Sequence, residues 1–396
     1  MSAPASASSQ QEFAALQSSL DPEWTFLRTA VSDSPQKLDR LRTISTQVRW
    51  RILFDLAERH GVQPLLYRGL SSTDGLVPAT DMRRLAQLYE TNLHRSMLMA
   101  REMIHLLDLL AKNNIEVLTY KGLALAESAY GDIALRPVGD IDLLIHPEDL
   151  PRIREAVRPL GYVPHSVLSA AEERASLRSG YEYVFDGRAG QNLLELKWGI
   201  LPRFYAVDFD HSSFFRRAVY MKVAGHEVKT LSPEDLFLVL AVHAAKHVWE
   251  RLIWLCDLGR MMRLETLDWA WVGVQAKALG IVRILRITLM LANALLGVGI
   301  PEAAHCNLPP DTQADRLALE IAGYMAASAE YNAESVAYFR LMLRLRENRR
   351  DRARFLSRLI LTPGPGEWAA VRLPEPLFPL YRLIRFVRLA QRMVSR

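Results

Sequence analysis

The sequence predicts an α+β protein, in which a small mixed β-sheet is flanked by N-terminal helices and followed by a helical C-terminal domain. Three observations support this prediction. Apolar residues recur at helical spacing before residue 114. Between residues 115 and 200, short runs rich in β-branched, leucine and aromatic residues alternate with helical patterns. From Ser232 onward the patterns are helical again.

The first part of the chain divides into a tail and a helical region. Residues 1–20 are rich in serine, alanine and glutamine, which predicts a flexible tail. Residues 21–114 form the N-terminal helical region. Within it, apolar spacing predicts one helix over 35–58, a short apolar piece at 64–67 and a long helix over 80–113.

Residues 115–230 are predicted to form the core that contains the sheet. Two helices are expected between the first strands, over 122–130 and 147–160, with a proline in the first turn of the second. Glycines at 187–190 predict a hairpin turn between the last two strands. The predicted strands are 115–120, 140–146, 162–165, 181–186 and 192–198. This alternation predicts a mixed sheet with helices on one side.

The chain is expected to end in a helical domain over 231–350 and a basic C-terminal extension over 351–396. Ser232 followed by Pro233 and two acids is a typical helix start. The predicted helices are 235–248, 251–263, 266–279 and 281–296, followed by a helical block over 313–348.

Bulk composition restricts the class of protein. The formal net charge of +5 suits an anionic ligand such as a nucleotide without requiring nucleic acid. Two cysteines give no disulfide framework, which favours a cytoplasmic location. The N-terminus lacks the pattern of a secretory signal, and no run of about 20 apolar residues occurs, so stable membrane insertion is not expected.

Two aspartates begin the predicted strand 140–146. Asp140 and Asp142 are two residues apart, so their side chains point to the same side of the strand. The residues around them are those of a buried strand. Two like charges this close are costly to bury unless a cation lies between them. The pair therefore predicts a divalent metal site of the oxygen-ligand, magnesium type.

This pair completes a longer motif. Lys121-Gly122, a short helix ending in Tyr130-Gly131, Arg136 and then Asp140-Ile141-Asp142 resembles the signature of nucleotidyltransferases with the DNA polymerase β fold. Within that superfamily, the chain more closely resembles a bacterial family described as uncharacterised nucleotidyltransferases. Lys121-Gly122-Leu123 stands where the usual signature has Gly-Ser. Lys-Gly alone is typical of an ordinary turn, and Asp-x-Asp is common at strand starts, but their order on strand–helix–strand is far more specific.

The resemblance implies a magnesium-dependent transfer of a nucleoside monophosphate from a triphosphate, ATP above all, to an acceptor, with release of pyrophosphate. Two magnesium ions, or manganese in their place, need more than two carboxylates, and the fold normally supplies a third from a neighbouring strand. Glu195 is the candidate, with Glu182 as the weaker alternative. Asp140, Asp142 and Glu195 are thus the expected metal ligands and catalytic residues. The acceptor stays open: a small molecule, a peptide, a protein side chain or an RNA end.

Other residues are expected to hold the nucleotide. Gly122 opens a helix whose free N–H groups favour phosphate, Lys121 and Lys197 supply charge, and Arg136 supplies a bidentate fork. His243 and His247 share a helix face, and by their spacing they could form part of a zinc site or pack as a structural pair. The family resemblance implies instead that they contact the nucleotide or the acceptor. In the same segment, Trp254 and Asp257 are interpreted either as site residues or as a core tryptophan and a surface acid.

The basic extension allows three interpretations. Five arginines recur at three- and four-residue steps, which predicts a basic stripe on a helix: Arg382, Arg385, Arg388, Arg392 and Arg396. The helix could dock on the core with its arginines in solvent, contact an anionic membrane surface, or bind an RNA-like polyanion. Two further functions remain alternatives to transfer of a nucleotide, namely a non-catalytic nucleotide-binding scaffold and a toxin-like tRNA nucleotidyltransferase.

Overall fold

One mixed β-sheet with helices before and after it in the chain forms this fold, and the predicted α+β class is confirmed. The computed structural model describes residues 21–73, 75–166, 169–188, 193–327, 332 and 335–394. The predicted tail over 1–20 lies outside the described residues, as do residues 189 and 190 of the predicted hairpin turn.

The helices that precede the sheet show where tertiary contacts override local pattern. The predicted single helix over 35–58 is wrong, because the chain breaks before Arg49. The backbone N–H and the Nε of Arg49 both donate to Oε1 of Glu23, at 2.9 and 2.8 Å, so this N–H leaves the helical pattern. The apolar piece at 64–67 lies within a helix, and the long helix is confirmed. The helices are α1 (Pro22–Val31), α2 (Lys37–Ser45), α3 (Trp50–Arg59), α4 (Gln63–Leu70) and α5 (Ala79–Lys112).

Among the described residues, seven strands pair into one sheet. The strands are β1 (Val117–Thr119), β2 (Asp140–Ile145), β3 (Val163–Pro164), β4 (Glu182–Asp186), β5 (Leu193–Lys197), β6 (Val219–Val223) and β7 (His226–Thr230). Their order is β3-β4-β5-β2-β1-β7-β6. β2 runs parallel to β5, and β1 parallel to β7, whereas the other neighbours are antiparallel.

The five predicted strands and both predicted helices are present, but one hairpin was not predicted. β6 and β7 are joined by Ala224 and Gly225, both with left-handed backbone (φ 48° and 82°), as in a two-residue turn. The helices of this region are α6 (Gly122–Tyr130), α7 (Leu150–Val157), α8 (Ala170–Ser179) and α9 (His211–Arg217). Short 3₁₀ turns extend α7 at both ends, so the predicted helix over 147–160 is confirmed.

The C-terminal helices follow the predicted pattern closely. α10 begins as expected, with the Ser232 hydroxyl accepting the N–H of Asp235. The helices are α10 (Pro233–Lys246), α11 (Leu252–Met261), α12 (Trp269–Leu279), α13 (Val282–Leu296), α14 (Glu302–Asn307), α15 (Thr312–Ala326), α16 (Val336–Arg344), α17 (Arg349–Leu361), α18 (Pro365–Ala370) and α19 (Tyr381–Val394). In the part of the chain that the structure describes, no helix combines the length and hydropathy needed to cross a membrane.

Two apolar cores divide the faces of the sheet. Ile141 and Leu143 of β2 pack with α5 and α7 in one core. Leu144, on the opposite face, belongs to the larger core that joins the N-terminal and C-terminal helices. Because side chains alternate along a strand, Asp140 and Asp142 share the face of Leu144 and point toward the helical domain.

The helix α19 of the basic extension is not oriented as predicted for docking with its arginines in solvent. Arg385 and Arg388 of α19 do not stand in solvent but bind Glu367, at 3.2 and 3.0 Å, while Leu383 and Phe386 are exposed. The arrangement with solvent-facing arginines is therefore wrong for this part of the stripe. The side chain of Arg392 and all of Arg396 lie beyond the described part of the chain.

Candidate active site

Strand pairing brings the predicted acids together. Asp142 of β2 lies directly opposite Glu195 of the parallel strand β5, and Asp140 precedes Asp142 by two residues. Neighbouring residues in register present their side chains on the same face. One oxygen from each of Asp140, Asp142 and Glu195 lies within 4.8 Å of the others. The three side chains form one carboxylate cluster, as the sequence predicts.

Lys197 supplies the nearest positive charge to this cluster. It follows Glu195 by two residues and pairs with Glu182 of β4, so both share the face of the acids. Its Nζ lies 2.7 Å from Oδ1 of Asp142, 2.6 Å from Oε2 of Glu195 and 3.6 Å from Oε2 of Glu182. The ammonium therefore links the cluster to Glu182, which lies at its margin rather than in it.

Ionisation of the two aspartates differs because their surroundings differ. Burial raises the pKa of Asp140 to about 6, and the negative charges of Asp142 and Glu195 act in the same direction. Burial acts on Asp142 as well, but the ammonium groups of Lys121 and Lys197 outweigh it and hold the pKa of that carboxyl well below its usual value. The cluster retains more negative charge than its two lysines offset.

The turn before α6 places Lys121 and Gly122 beside the cluster. Gly122 has φ +51°, and a Cβ there would lie 3.3 Å from Cγ1 of Val138, so glycine allows this close approach. The Nζ of Lys121 lies 3.9 Å from Oδ1 of Asp142. Burial lowers the pKa of Lys121 to about 8 despite the attraction of Asp142. The N-terminus of α6 and this ammonium thus lie next to the acids.

Arg136 is held by a buried acid from the C-terminal helices. Its Nε lies 3.1 Å from both carboxylate oxygens of Asp257 on α11. The Tyr130 hydroxyl donates to the same carboxylate at 2.7 Å. Burial would lower the pKa of Arg136, but the Asp257 carboxylate outweighs it and the pKa is raised. Asp257 is fully buried, so its interpretation as a surface acid is wrong. The predicted contact of Arg136 with phosphate stays a prediction.

His243 and His247 lie on the helical side of the site and pack against Trp254 in tilted and edge-on arrangements. Their rings are 4.9 Å apart and lie 5.3 and 5.2 Å from the Trp254 ring. Burial, with the charge of nearby lysines, lowers the pKa of both imidazoles, that of His247 to about 3, so both are neutral near pH 7. Among the described residues, no grouping of three metal ligands includes either histidine.

A strained turn fixes the end of α10 near the cluster. Val248 and Trp249 have φ 53° and 50°, a left-handed conformation that is unfavourable for a β-branched or bulky residue. The buried Trp249 indole donates to the hydroxyl of Thr288 at 3.1 Å, which anchors this turn. Just before it, the Nζ of Lys246 lies 5.4 Å from the centre of the Tyr181 ring, on the side of Glu182.

Sequence reasoning did not find the ion pair of Arg136 with Asp257 or the position of Tyr181. The signal for Asp257 was present, because a single acid stands in the apolar run Leu252–Met261. An acid in a buried helix needs a partner. No comparable signal marks Tyr181, which immediately precedes β4.

A mixed sheet that presents an Asp-x-Asp pair and a glutamate from the next parallel strand, beside a glycine-opened helix, has the form of a nucleotidyltransferase core. The family model described as "Uncharacterised nucleotidyltransferase" matches residues 46–297. This span is more than half of the chain, and the protein belongs to that family. Residues 298–396 lie beyond the match.

The protein is similar to a solved structure of an antigenic nucleotidyltransferase-like protein from Paracoccidioides brasiliensis, with 17% sequence identity and a TM-score of 0.32. The similarity covers 53% of this chain and 94% of that one. The comparison with curated proteins gave no match.

Proposed function

We propose that this protein transfers a nucleoside monophosphate from a nucleoside triphosphate, ATP above all, to an acceptor, with divalent magnesium and release of pyrophosphate. One observation carries the proposal. Asp140, Asp142 and Glu195 place carboxylate oxygens within 4.8 Å of one another, beside a glycine-opened helix.

The donor set fits magnesium. All three groups offer carboxylate oxygens, which suit magnesium and manganese and do not suit metals that prefer thiolate ligands. The Lys197 ammonium, at 2.7 and 2.6 Å from Asp142 and Glu195, supplies positive charge between two of these acids. A cation held there would leave this ammonium free to meet a phosphate.

The three acids would share the binding of the metal, and Glu195 would have a second part in the reaction. Asp140 and Asp142 would hold the metal, and Glu195 would complete the site. Bound divalent ions supply charge neutralisation on the phosphate oxygens as the transferred group changes partners. Glu195, 20% exposed and therefore open to an entering acceptor, is placed to accept a proton.

The proposed reaction exchanges one P–O bond for another at the α-phosphorus. The acceptor oxygen attacks the α-phosphorus and forms a new P–O bond. The bond from that phosphorus to the bridging oxygen of the β-phosphate breaks, and its electron pair leaves with pyrophosphate. The acceptor's proton passes to Glu195, so atoms and charge balance. In this scheme the protein orients and neutralises charge and forms no covalent intermediate.

The neighbouring residues suit the nucleotide. The N-terminus of α6 at Gly122 and the ammonium of Lys121 would hold the triphosphate. The neutral rings of His243 and His247, with Trp254, offer a stacking surface for a base. Arg136 would act through Asp257, by fixing α11 to the turn that precedes β2.

A cavity of about 250 Å³ that extends from Glu182, at the margin of the cluster, would admit the acceptor. Its wall includes Tyr181, Glu182 and Trp368. Glu182 also lies 3.6 Å from the Lys197 ammonium, so the cavity reaches the margin of the site. This volume suits a compact acceptor group. Trp368→Ala is expected to raise the KM for the acceptor while leaving the Kd for nucleotide unchanged.

The experiment is a transfer assay with labelled triphosphates, magnesium and candidate acceptors. Pyrophosphate release that is lost in Asp140→Ala/Asp142→Ala and retained in Glu148→Ala, an exposed acid beyond the other end of β2, would support the proposal. If the assay showed no pyrophosphate release and no metal-dependent nucleotide binding, the proposal would be contradicted and the scaffold alternative favoured. Label on added total RNA alone would identify an RNA acceptor, as in the tRNA alternative.

A further inference from the structure

Positive charge is concentrated in the basic extension. Residues 351–396 contain nine arginines and no lysine, against the three acids Asp351, Glu367 and Glu375. The extension therefore has a formal net charge of +6, whereas the chain as a whole has +5. The other 350 residues together carry a charge of −1. A charge separation of this size points to an anionic partner for the extension.

Exposed apolar side chains are concentrated in the same segment. Of eighteen large hydrophobic side chains exposed in the described residues, nine belong to the extension, which is about an eighth of the chain. They are Leu356, Ile360, Leu361, Val371, Leu377, Leu380, Leu383, Phe386 and Val387. Apolar groups clustered in this way, beside cations, are typical of an interaction surface.

Helix α19 displays these groups on a fixed side. Leu383, Phe386 and Val387 are spaced for one helix face and are 63%, 56% and 51% exposed. The opposite side is bound to the protein: Tyr381 is buried, and its hydroxyl donates to the Val371 carbonyl at 3.0 Å. Arg385 donates to Glu367 at 3.2 Å. Rolling the helix to bury its apolar face would break these contacts.

We infer that the basic extension binds the surface of an anionic lipid bilayer, with Leu383, Phe386 and Val387 entering the boundary between head groups and acyl chains. An amphipathic helix lying in the interface buries its apolar face about 5–10 Å deep and is held by anionic lipids. Arg372 and Arg382 are exposed and would meet lipid phosphates. The inference rests on residues beyond the family match and does not depend on transfer activity.

Other partners fit these observations less well. A second copy of the chain seated on this face would bring two extensions of charge +6 together. A single-stranded nucleic acid is held by cations interleaved with aromatic rings, and the exposed large side chains of the described extension are aliphatic except for Phe386. Aliphatic groups beside arginines fit hydrocarbon beneath phosphate.

The test is flotation of the full-length protein with lipid vesicles. Vesicles of phosphatidylcholine with about 30% phosphatidylglycerol are expected to carry the protein at about 0.1 M salt, with less binding at higher salt. Leu383→Glu/Phe386→Glu should lower the partition coefficient by at least about tenfold. Leu98→Glu, which changes a 68% exposed leucine on α5, is the matched control and should change it less than about twofold.

Circular dichroism and nucleotide binding of each variant check that the fold is retained. Failure to float with anionic vesicles would overturn the inference, and so would equal binding to pure phosphatidylcholine. A loss in Leu98→Glu equal to that in the double variant would also overturn it. If the wild type formed a dimer that the double variant abolished, and vesicles did not bind, the partner would be a second copy of the chain. If RNA bound both the wild type and the double variant while vesicles bound neither protein, the partner would be a nucleic acid.

Discussion

Replacing Asp257 with asparagine should destabilise the protein strongly, although the side chain keeps its shape. The carboxylate of Asp257 is buried and binds the Arg136 guanidinium, which is itself 11% exposed. A neutral amide in place of this carboxylate would leave that guanidinium buried without a counter-charge. The change therefore tests whether Arg136 anchors α11 or is held in reserve for phosphate.

The size of the effect follows from the geometry. Two charges 3.1 Å apart attract by about 5 kcal/mol at an effective dielectric constant of about 20. Removing one partner of a buried pair typically costs about 3–5 kcal/mol. Tyr130→Phe removes one hydrogen bond to the same carboxylate and should cost about 1.5–3 kcal/mol. Replacing both charges, as in Arg136→Met/Asp257→Leu, should recover much of the loss.

Urea denaturation followed by tryptophan fluorescence measures these differences in the free energy of unfolding, and nucleotide titration measures affinity separately. The reasoning requires a stability loss in Asp257→Asn that the double replacement reverses. It would be refuted if Asp257→Asn cost less than about 1 kcal/mol while Arg136→Met retained stability and lost more than about tenfold in nucleotide affinity. The guanidinium would then be a phosphate ligand.

Four further predictions concern the carboxylate cluster. Glu195→Gln should lower metal-dependent turnover by about 100-fold or more, whereas Glu182→Gln should lower it by less than about tenfold; equal effects would contradict the assignment of Glu195. Because the pKa of Asp140 is raised from 3.8 to about 6, magnesium affinity measured by calorimetry should fall as the pH drops below 6. The same shift means that ionisation of Asp140 costs more in the folded state, so this carboxyl alone lowers stability as the pH rises from about 4 to about 6. The difference in the free energy of unfolding between Asp140→Asn and the metal-free wild type should therefore grow in favour of the variant over that range. Lys197→Met should lower the melting temperature of the metal-free protein and enlarge the increase that magnesium gives; an unchanged response to magnesium would show that the ammonium does not compensate the acids.

Elements with strong local signals were predictable from the sequence. The helix over 122–130 was predicted at its observed bounds, because Gly131 adopts the left-handed conformation that ends it. The break before Arg49 was not predictable, since the acid that causes it is 26 residues away. The hairpin β6–β7 escaped prediction because Val219 and Tyr220 are exposed on the outer strand and give no apolar alternation.

In the candidate site too, local spacing in the sequence was informative and long-range contacts were not predictable. The spacing of Asp140 and Asp142 alone puts both on one face of a strand, and the structure shows this. Placing Glu195 with them depended on the family resemblance, which implied a third acid from a neighbouring strand; the order and direction of the strands came from the structure. The partner of Arg136 could not be inferred, because Asp257 lies 121 residues further along the chain and only the folded helical domain brings it back.

The parallel register of β2 and β5 decides whether the three carboxylates of the cluster lie together in the folded sheet. Asp142 meets Glu195 only at one offset of the two strands. A slip of one residue would turn Glu195 toward α5 and α7 and present a leucine to the aspartates instead. Deleting one residue inside β5 should therefore abolish the proposed transfer activity even if the protein still folds. Lengthening a connecting loop should be tolerated, because it does not change which side chains meet.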